Sequence, residues 1–359
     1  MAMEELLKLA VERQASDLHL VVGIPPSLRI DGEIIFTELP ALKPAESKEL
    51  IYSLLNQDRI KRFEEKKELD FSIACQDIGR FRVNVYRERG FVESSFRAIS
   101  LKVKNLEELG LPPVVQELAL RPSGLVLISG PAGMGKTNTM AAMVNYINEN
   151  RRSRIITIED PIEFMHTHKK SIVIQREVGS DMGSDTKSFS AALVSALRED
   201  PNVICIGEMR DLDTFSIALT AAETGHLVLG TIHTPNTIQT ISRIIDVFPP
   251  NQQQQIRIQL ASCLEGVISQ LLLPRCCGSG RALATEVLIS TRAVRNIIRE
   301  NKMEVVLSVL QTGLEHGMHT MDSSLRDLYD AGVISYDTAL SKAQDSRTFK
   351  KSNSRRQED

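Results

Sequence analysis

Apolar positions change their period along the chain, and the change divides it. Over residues 4–14, Leu6, Leu7, Leu9, Ala10 and Val11 fall at helical spacing, and short strand-like runs follow at 17–21, 27–30 and 33–36. Pro25 and Pro26 part the first two runs, and Asp31-Gly32 predicts a tight hairpin between the next two. Residues 44–67 read as one helix with Leu50, Ile51, Leu54 and Leu55 on its apolar face, followed by strand-like runs at 69–73, 80–86 and 91–99. Residues 1–100 therefore predict a small α+β domain, an antiparallel sheet backed by helices. Beyond residue 123 the rhythm differs. Compact apolar runs at 125–129, 154–158, 203–206 and 227–232 alternate with helical stretches, which predicts a parallel sheet in an α/β domain over 123–345. Residues 101–122, with Pro112 and Pro113, read as the interdomain linker; 282–343 read as mostly helical, and 346–359 as a polar tail expected to be disordered.

Composition narrows the classes without choosing among them. The length of 359 residues favours two domains, and 42% hydrophobic with 25% charged residues is ordinary for a globular protein. No stretch has the apolar length of a membrane span and residues 1–5 do not form a signal peptide, so a cytoplasmic protein is expected. Five cysteines lack C-x-x-C spacing, which argues against a disulfide framework and a structural zinc site; Cys276 and Cys277 are expected as reduced thiols in a turn. A net charge of −3, no Trp and few aromatics supply neither the field nor the stacking surface of a nucleic-acid binder.

The chemistry begins where the apolar run 125–129 meets Gly130, Pro131, Ala132, Gly133, Met134, Gly135, Lys136, Thr137 and Asn138. This is G-x-x-x-x-G-K-T between a strand and a helix former run, the pattern of a phosphate grip. The glycines let successive amide N–H groups converge on one anion, Lys136 neutralises β- and γ-phosphates, and the Thr137 hydroxyl holds Mg²⁺. The following helix directs its positive end at the same phosphates. Ligands of a parallel sheet bind at the carboxyl ends of its strands, and there stand Glu159, Asp160, Glu163, Glu208 and His233. Glu208, preceded by glycine rather than aspartate, suits Mg²⁺ or its waters, and Glu163 suits a general base in a loop stiffened by Pro161. The plainer alternative makes these acids helix caps or loop charges. His233 is a candidate sensor bonded to the γ-phosphate or to a catalytic acid. His226 sits roughly 20 Å away along extended chain, too far for a shared metal, and a structural role is open for it. In the first domain, alternation sends Phe81, Val83 and Val85 inward and leaves Arg80 and Arg82 outside, with Arg97 near; this is either a solvated face or one that reaches phosphates of a neighbouring subunit.

Ile156-Thr-Ile-Glu-Asp-Pro-Ile-Glu-Phe164 resembles the Asp box of secretion-superfamily hexameric ATPases, 196–211 their atypical Walker B segment, and 220–234 their His box. Ala293-Val-Arg-Asn-Ile-Ile-Arg-Glu300 is similar to the signature of the type IV pilus retraction ATPases, the twitching-motility PilT family, and the segments around Asp17 and Gly79 resemble that family's PAS-like N-terminal domain. The resemblance implies a RecA-like P-loop ATPase domain behind a smaller α+β PAS-like domain. It implies ATP and Mg²⁺ as ligands, Glu163 as catalytic base, Glu208 as Walker B acid, His226 and His233 as the His box, and Arg80, Arg82 and Arg97 as cations acting across a subunit boundary. The implied assembly is a homohexamer at the inner membrane, pulling on a pilus platform protein and working with or as a paralogous retraction ATPase. An assembly ATPase of pili or type II secretion is the alternative, and a nucleotide-gated scaffold without turnover the non-enzymatic one. Met134 and Asn138 stand where Ser and a hydroxyl residue are usual, the loop 178–187 is longer than expected, and the four-cysteine zinc module of assembly ATPases is missing.

Overall fold

The computed structural model describes residues 2–346 and 349, apart from 31, 76–77, 100–102, 180–183 and 279. Parts of the expected linker, of the 178–187 loop, of the Asp31-Gly32 turn and nearly all of the expected tail thus lie outside the described residues.

The N-terminal chain forms α1 (Met3–Glu12), β1 (Asp17–Leu20), β2 (Ser27–Ile30), β3 (Glu33–Phe36), α2 (Pro44–Tyr52), α3 (Gln57–Lys66), β4 (Glu68–Cys75), β5 (Gly79–Glu88) and β6 (Phe91–Ile99). The strands make one antiparallel sheet in the order β3-β2-β1-β6-β5-β4. As period-two alternation requires, Phe81, Val83 and Val85 of β5 are buried with Leu6, Leu7, Ile51 and Phe63 from the helices. The single helix expected over 44–67 is two. Asn56 breaks it by capping the second, accepting a hydrogen bond from Arg59 N at 2.9 Å.

The rest of the chain folds as α4 (Val114–Ala119), β7 (Gly124–Ser129), α5 (Lys136–Asn150), β8 (Arg154–Glu159), β9 (Ile172–Glu177), α6 (Phe189–Ala196), β10 (Val203–Ile206), α7 (Leu212–Glu223), β11 (Leu227–Ile232), α8 (Thr237–Asp246), α9 (Pro250–Cys263), β12 (Leu264–Pro274), β13 (Arg281–Ile289), α10 (Arg292–Arg299), α11 (Val306–Thr312), α12 (Met321–Asp330) and α13 (Tyr336–Lys342). Its sheet runs β13-β12-β7-β11-β10-β8-β9, all parallel except β13, which pairs antiparallel with β12. This is the expected α/β domain with two corrections. Residues 282–289, expected in a helical region, are a strand, and β9 and β12 were not anticipated.

The described residues group into two compact units, one holding the chain before Val103 with Pro161–Met165, the other Val103–Asp160, His166–Gly179 and the chain from Asp185. Leu106, Leu111, Val115 and Leu118, from the stretch expected as a connection, share the second unit's core with β7. Phe349, fully buried beside Met321 and Leu325, anchors the end of the chain with an apolar side chain the tail was expected to lack.

Candidate nucleotide site

Three central strands bring the chemistry together. β7, β11 and β10 are adjacent and parallel, so their carboxyl ends deliver Gly130, His233 and Glu208 to one rim of the sheet. The loop leaving β7 needs its glycines. Gly130 has φ +141°, and a Cβ there would lie 2.5 Å from Gln270 O. Gly135 is the left-handed N-cap of α5 and offers no side-chain cap, so the first amides of the helix are left to another acceptor. Pro131, Ala132, Gly133 and Asn138 are exposed, while Met134, Gly135 and Thr137 are half-buried.

Lys136 is only 6% exposed. Its Nζ donates to Gly130 O at 2.7 Å, to Pro131 O at 2.9 Å and to His233 Nδ1 at 3.1 Å. An ammonium can only donate, so His233 Nδ1 is the acceptor and the ring proton sits on Nε2. That nitrogen faces Glu208 Oε1 at 3.2 Å. Arg210 closes the chain, bonding Glu208 Oε1 through Nε and Oε2 through Nη2. The result is a line of ammonium, neutral imidazole, carboxylate and guanidinium across the strand ends. Burial pushes the Lys136 pKa below the ordinary lysine value, against the pull of Glu208. Burial pushes the Glu208 carboxyl up, but Arg210 and His233 outweigh it and hold the group below the usual carboxylate range.

Backbone bonds fix the Glu208 turn from both sides: Gly207 N donates to Ile158 O at 2.8 Å, Thr231 Oγ1 to Gly207 O at 2.5 Å, and Met209 N to Thr231 O at 3.0 Å. The glycine that precedes Glu208 sits in a tight place, since a Cβ on it would lie 3.1 Å from Ile158 O and 3.2 Å from Glu159 Cα. Asp211, outside the set of acids considered above, caps α7 by accepting from Thr214 N at 2.9 Å. Glu159 accepts from Thr157 Oγ1 at 2.6 Å and Gln175 Nε2 at 3.1 Å. Glu163 is exposed and lies on the Pro161–Met165 segment, which groups with the first unit. His226 precedes β11 at its opposite end, its Nδ1 3.0 Å from Ala221 O.

In the first unit, Arg82 and Arg97 are direct cross-strand neighbours and both are exposed. Arg97 Nε is 3.0 Å from Asp17 Oδ1, and Arg80 is half-buried one alternate position earlier on β5. In α10, Val294, Ile297 and Ile298 are buried as the stripe predicts. Its Arg295 is tied inward, donating to Ser262 O at 2.6 Å and Glu265 Oε1 at 2.8 Å. Sequence reasoning gave no role to Arg210 or Gln270. Arg210 stood two residues from Glu208 as a signal, and Gln270 followed Ser269 inside an otherwise apolar run.

The chain is similar to known proteins over nearly its whole length. A family model described as type II/IV secretion system protein matches residues 2–321. The type IV pilus retractation ATPase PilT of Pseudomonas aeruginosa is 46% identical over 349 residues, 97% of this chain and 100% of that protein. The type IV pilus ATPase PilU of the same organism is 39% identical over 343 residues, 96% of this chain and 89% of that one. The crystal structure of the pilus retraction motor PilT with bound ADP superposes with a TM-score of 0.89 at 48% identity, covering 98% of this chain and 99% of the other.

Proposed function

Because the chain belongs to the type II/IV secretion system protein family, we propose that it is a motor ATPase that hydrolyses ATP with Mg²⁺ to drive type IV pilus retraction and twitching motility. The observation that carries this reading is the line Lys136, His233, Glu208 at the carboxyl ends of three adjacent strands, beside a helix start without a side-chain cap.

The residues suit a nucleoside triphosphate. The free amides at the start of α5 and the buried Lys136 present positive charge where, among the described residues, none of the recorded Lys136 partners is a carboxylate. Phosphate oxygens would draw Nζ from the Gly130 and Pro131 carbonyls and from His233. That would leave His233 bonded to Glu208, the carboxylate that would hold the metal's waters. Thr137 Oγ1 would be a direct Mg²⁺ ligand; the ion, when bound, supplies charge neutralisation at the β- and γ-phosphates. Glu163 would take the proton of the attacking water, and Arg80, Arg82 and Arg97 would act on the nucleotide of a neighbouring subunit in a homohexamer. His226, bonded to its own chain, would maintain the entry to β11.

The protein would work in the cytoplasm at the inner-membrane base of the pilus, against a platform protein and alongside a paralogue of the PilU kind. Glu163→Gln should bind ATP with parental affinity while turnover falls by at least 100-fold. A strain lacking the gene should be hyperpiliated and unable to twitch; bald cells would instead assign the protein to assembly.

A further inference from the structure

In a planar trans peptide the carbonyl and the following N–H point in opposite directions. A loop that turns its N–H groups inward onto an anion therefore sends the carbonyls of the same peptides outward, where each needs a donor. β12 provides that outer side. It pairs with β7 as far as Ser269 opposite Ser129, yet continues to Pro274 with β13 as its strand partner. Along this overhang lies the glycine-rich loop. Gln270 Nε2 donates to Met134 O at 2.6 Å, Leu272 N donates to Met134 Sδ at 3.2 Å, and Arg281 Nη1 reaches Gly133 O at 3.4 Å. The fit is close, since a Cβ on Gly135 would lie 3.2 Å from Leu272 Cδ1 and 3.4 Å from Gln270 Nε2. Gln270 is 1% exposed, and its Oε1 has no hydrogen-bond partner among the described residues. Burying that acceptor unpaired is unfavourable, so the contribution of the side chain comes through its amide protons.

We propose that Gln270 is a positioning residue for the polyphosphate: by holding Met134 O outward, it fixes the N–H of Gly135 inward. Arg281 does the same for Met134 N–H through Gly133 O. The proposal rests on reading residues 130–137 as the phosphate grip, and it makes the β12–β13 hairpin part of that grip.

Binding of mant-ADP and mant-ATP to the purified full chain, measured beside steady-state ATP hydrolysis, tests it. Gln270→Met keeps the bulk and removes the donor. Kd for both nucleotides and KM should rise about tenfold with kcat within about twofold, because an amide that meets phosphate equally before and during transfer contributes to binding alone. Gln270→Glu keeps the shape but turns an acceptor toward Met134 O, and should bind more weakly than Gln270→Met; a side chain that only fills space would give the opposite order. Should circular dichroism show either variant unfolded, Arg281→Met, at an exposed position, decides: a Kd raised about threefold supports the shelf. Affinity and KM within twofold of the parent in every folded variant overturn it. Lys136→Ala separates this from the reading beneath. Unchanged nucleotide affinity in that variant means the grip itself is misassigned, whereas lost affinity there with normal binding in the others removes only the role of Gln270.

Discussion

Lys136 must hold a charge in surroundings that resist it. Its folded-state pKa lies below the ordinary lysine value through burial, and only the protonated form attracts phosphate. Nucleotide affinity should therefore fall as pH rises through that lowered pKa, at a pH below the usual lysine range; titrating Kd for mant-ADP between about pH 7 and 10.5 checks it. A downturn confined to the ordinary lysine value would refute the assignment. Glu208 gives the opposite test. Burial pushes its carboxyl up while Arg210 and His233 hold it low, so in Arg210→Met, with one of the two counterweights gone, the pKa rises. The acid limb of the kcat profile should then move to higher pH, with activity lost earlier on acidification. Lys136, Glu208 and His233 were legible in the sequence because each follows an apolar run that becomes a strand, so their convergence is dictated by parallel pairing. The Arg210 contact was not, since it depends on the bend at 207–209 and not on any periodicity.

Elements were legible where one face is wet, or where a short buried run stands between helical stretches, as β7, β10 and β11 do. The alternation in β5 is visible because Arg82 faces solvent between buried Phe81 and Val83. β13 is buried along most of both faces, so its run carries no period and reads equally as a buried helix. β9 escaped because its edge position mixes Ile172, exposed, with polar Gln175 and Arg176. The loop before it is instead organised from α5. Asn148, fully buried, donates through Nδ2 to Thr167 O at 2.7 Å, while its Oδ1 accepts from Lys169 N at 3.0 Å and Ser171 N at 3.2 Å. Asn148→Ala strands these groups and should cost about 2–4 kcal/mol. Amides from 167 to 173 should exchange faster in that variant, and equal protection with unchanged denaturation would show the bonds to be dispensable. His166 adds a pH term to the same loop. Burial, with Lys169 nearby, lowers its pKa to about 4, so the protein gains stability above the unfolded value near 6.5 and loses it as pH falls toward 4.

At the scale of the whole molecule, the question is whether the arginines of the first unit serve the phosphate grip of another chain. Across the sheet, Arg82, Arg97, Asp17 and Arg29 occupy consecutive paired positions, three cations to one carboxylate. Like charges set directly opposite are unfavourable, and one aspartate 3.0 Å from Arg97 and 3.9 Å from Arg29 offsets only part of that. The remaining positive charge suits a face that meets polyphosphate, the reading proposed for these arginines. The double variant Arg82→Gln with Arg97→Gln should then bind nucleotide normally but turn over at least tenfold more slowly, and Lys136→Ala, which loses its hold on the phosphates, should turn over slowly as well. Mixing the two defective chains distinguishes trans action from a local defect. In a ring, each composite site needs Lys136 from one subunit and the arginines from its neighbour, so random equimolar assembly restores about one interface in four. Hydrolysis recovering toward that fraction supports action across the boundary. Co-assembly without any recovery would confine the arginines to their own subunit.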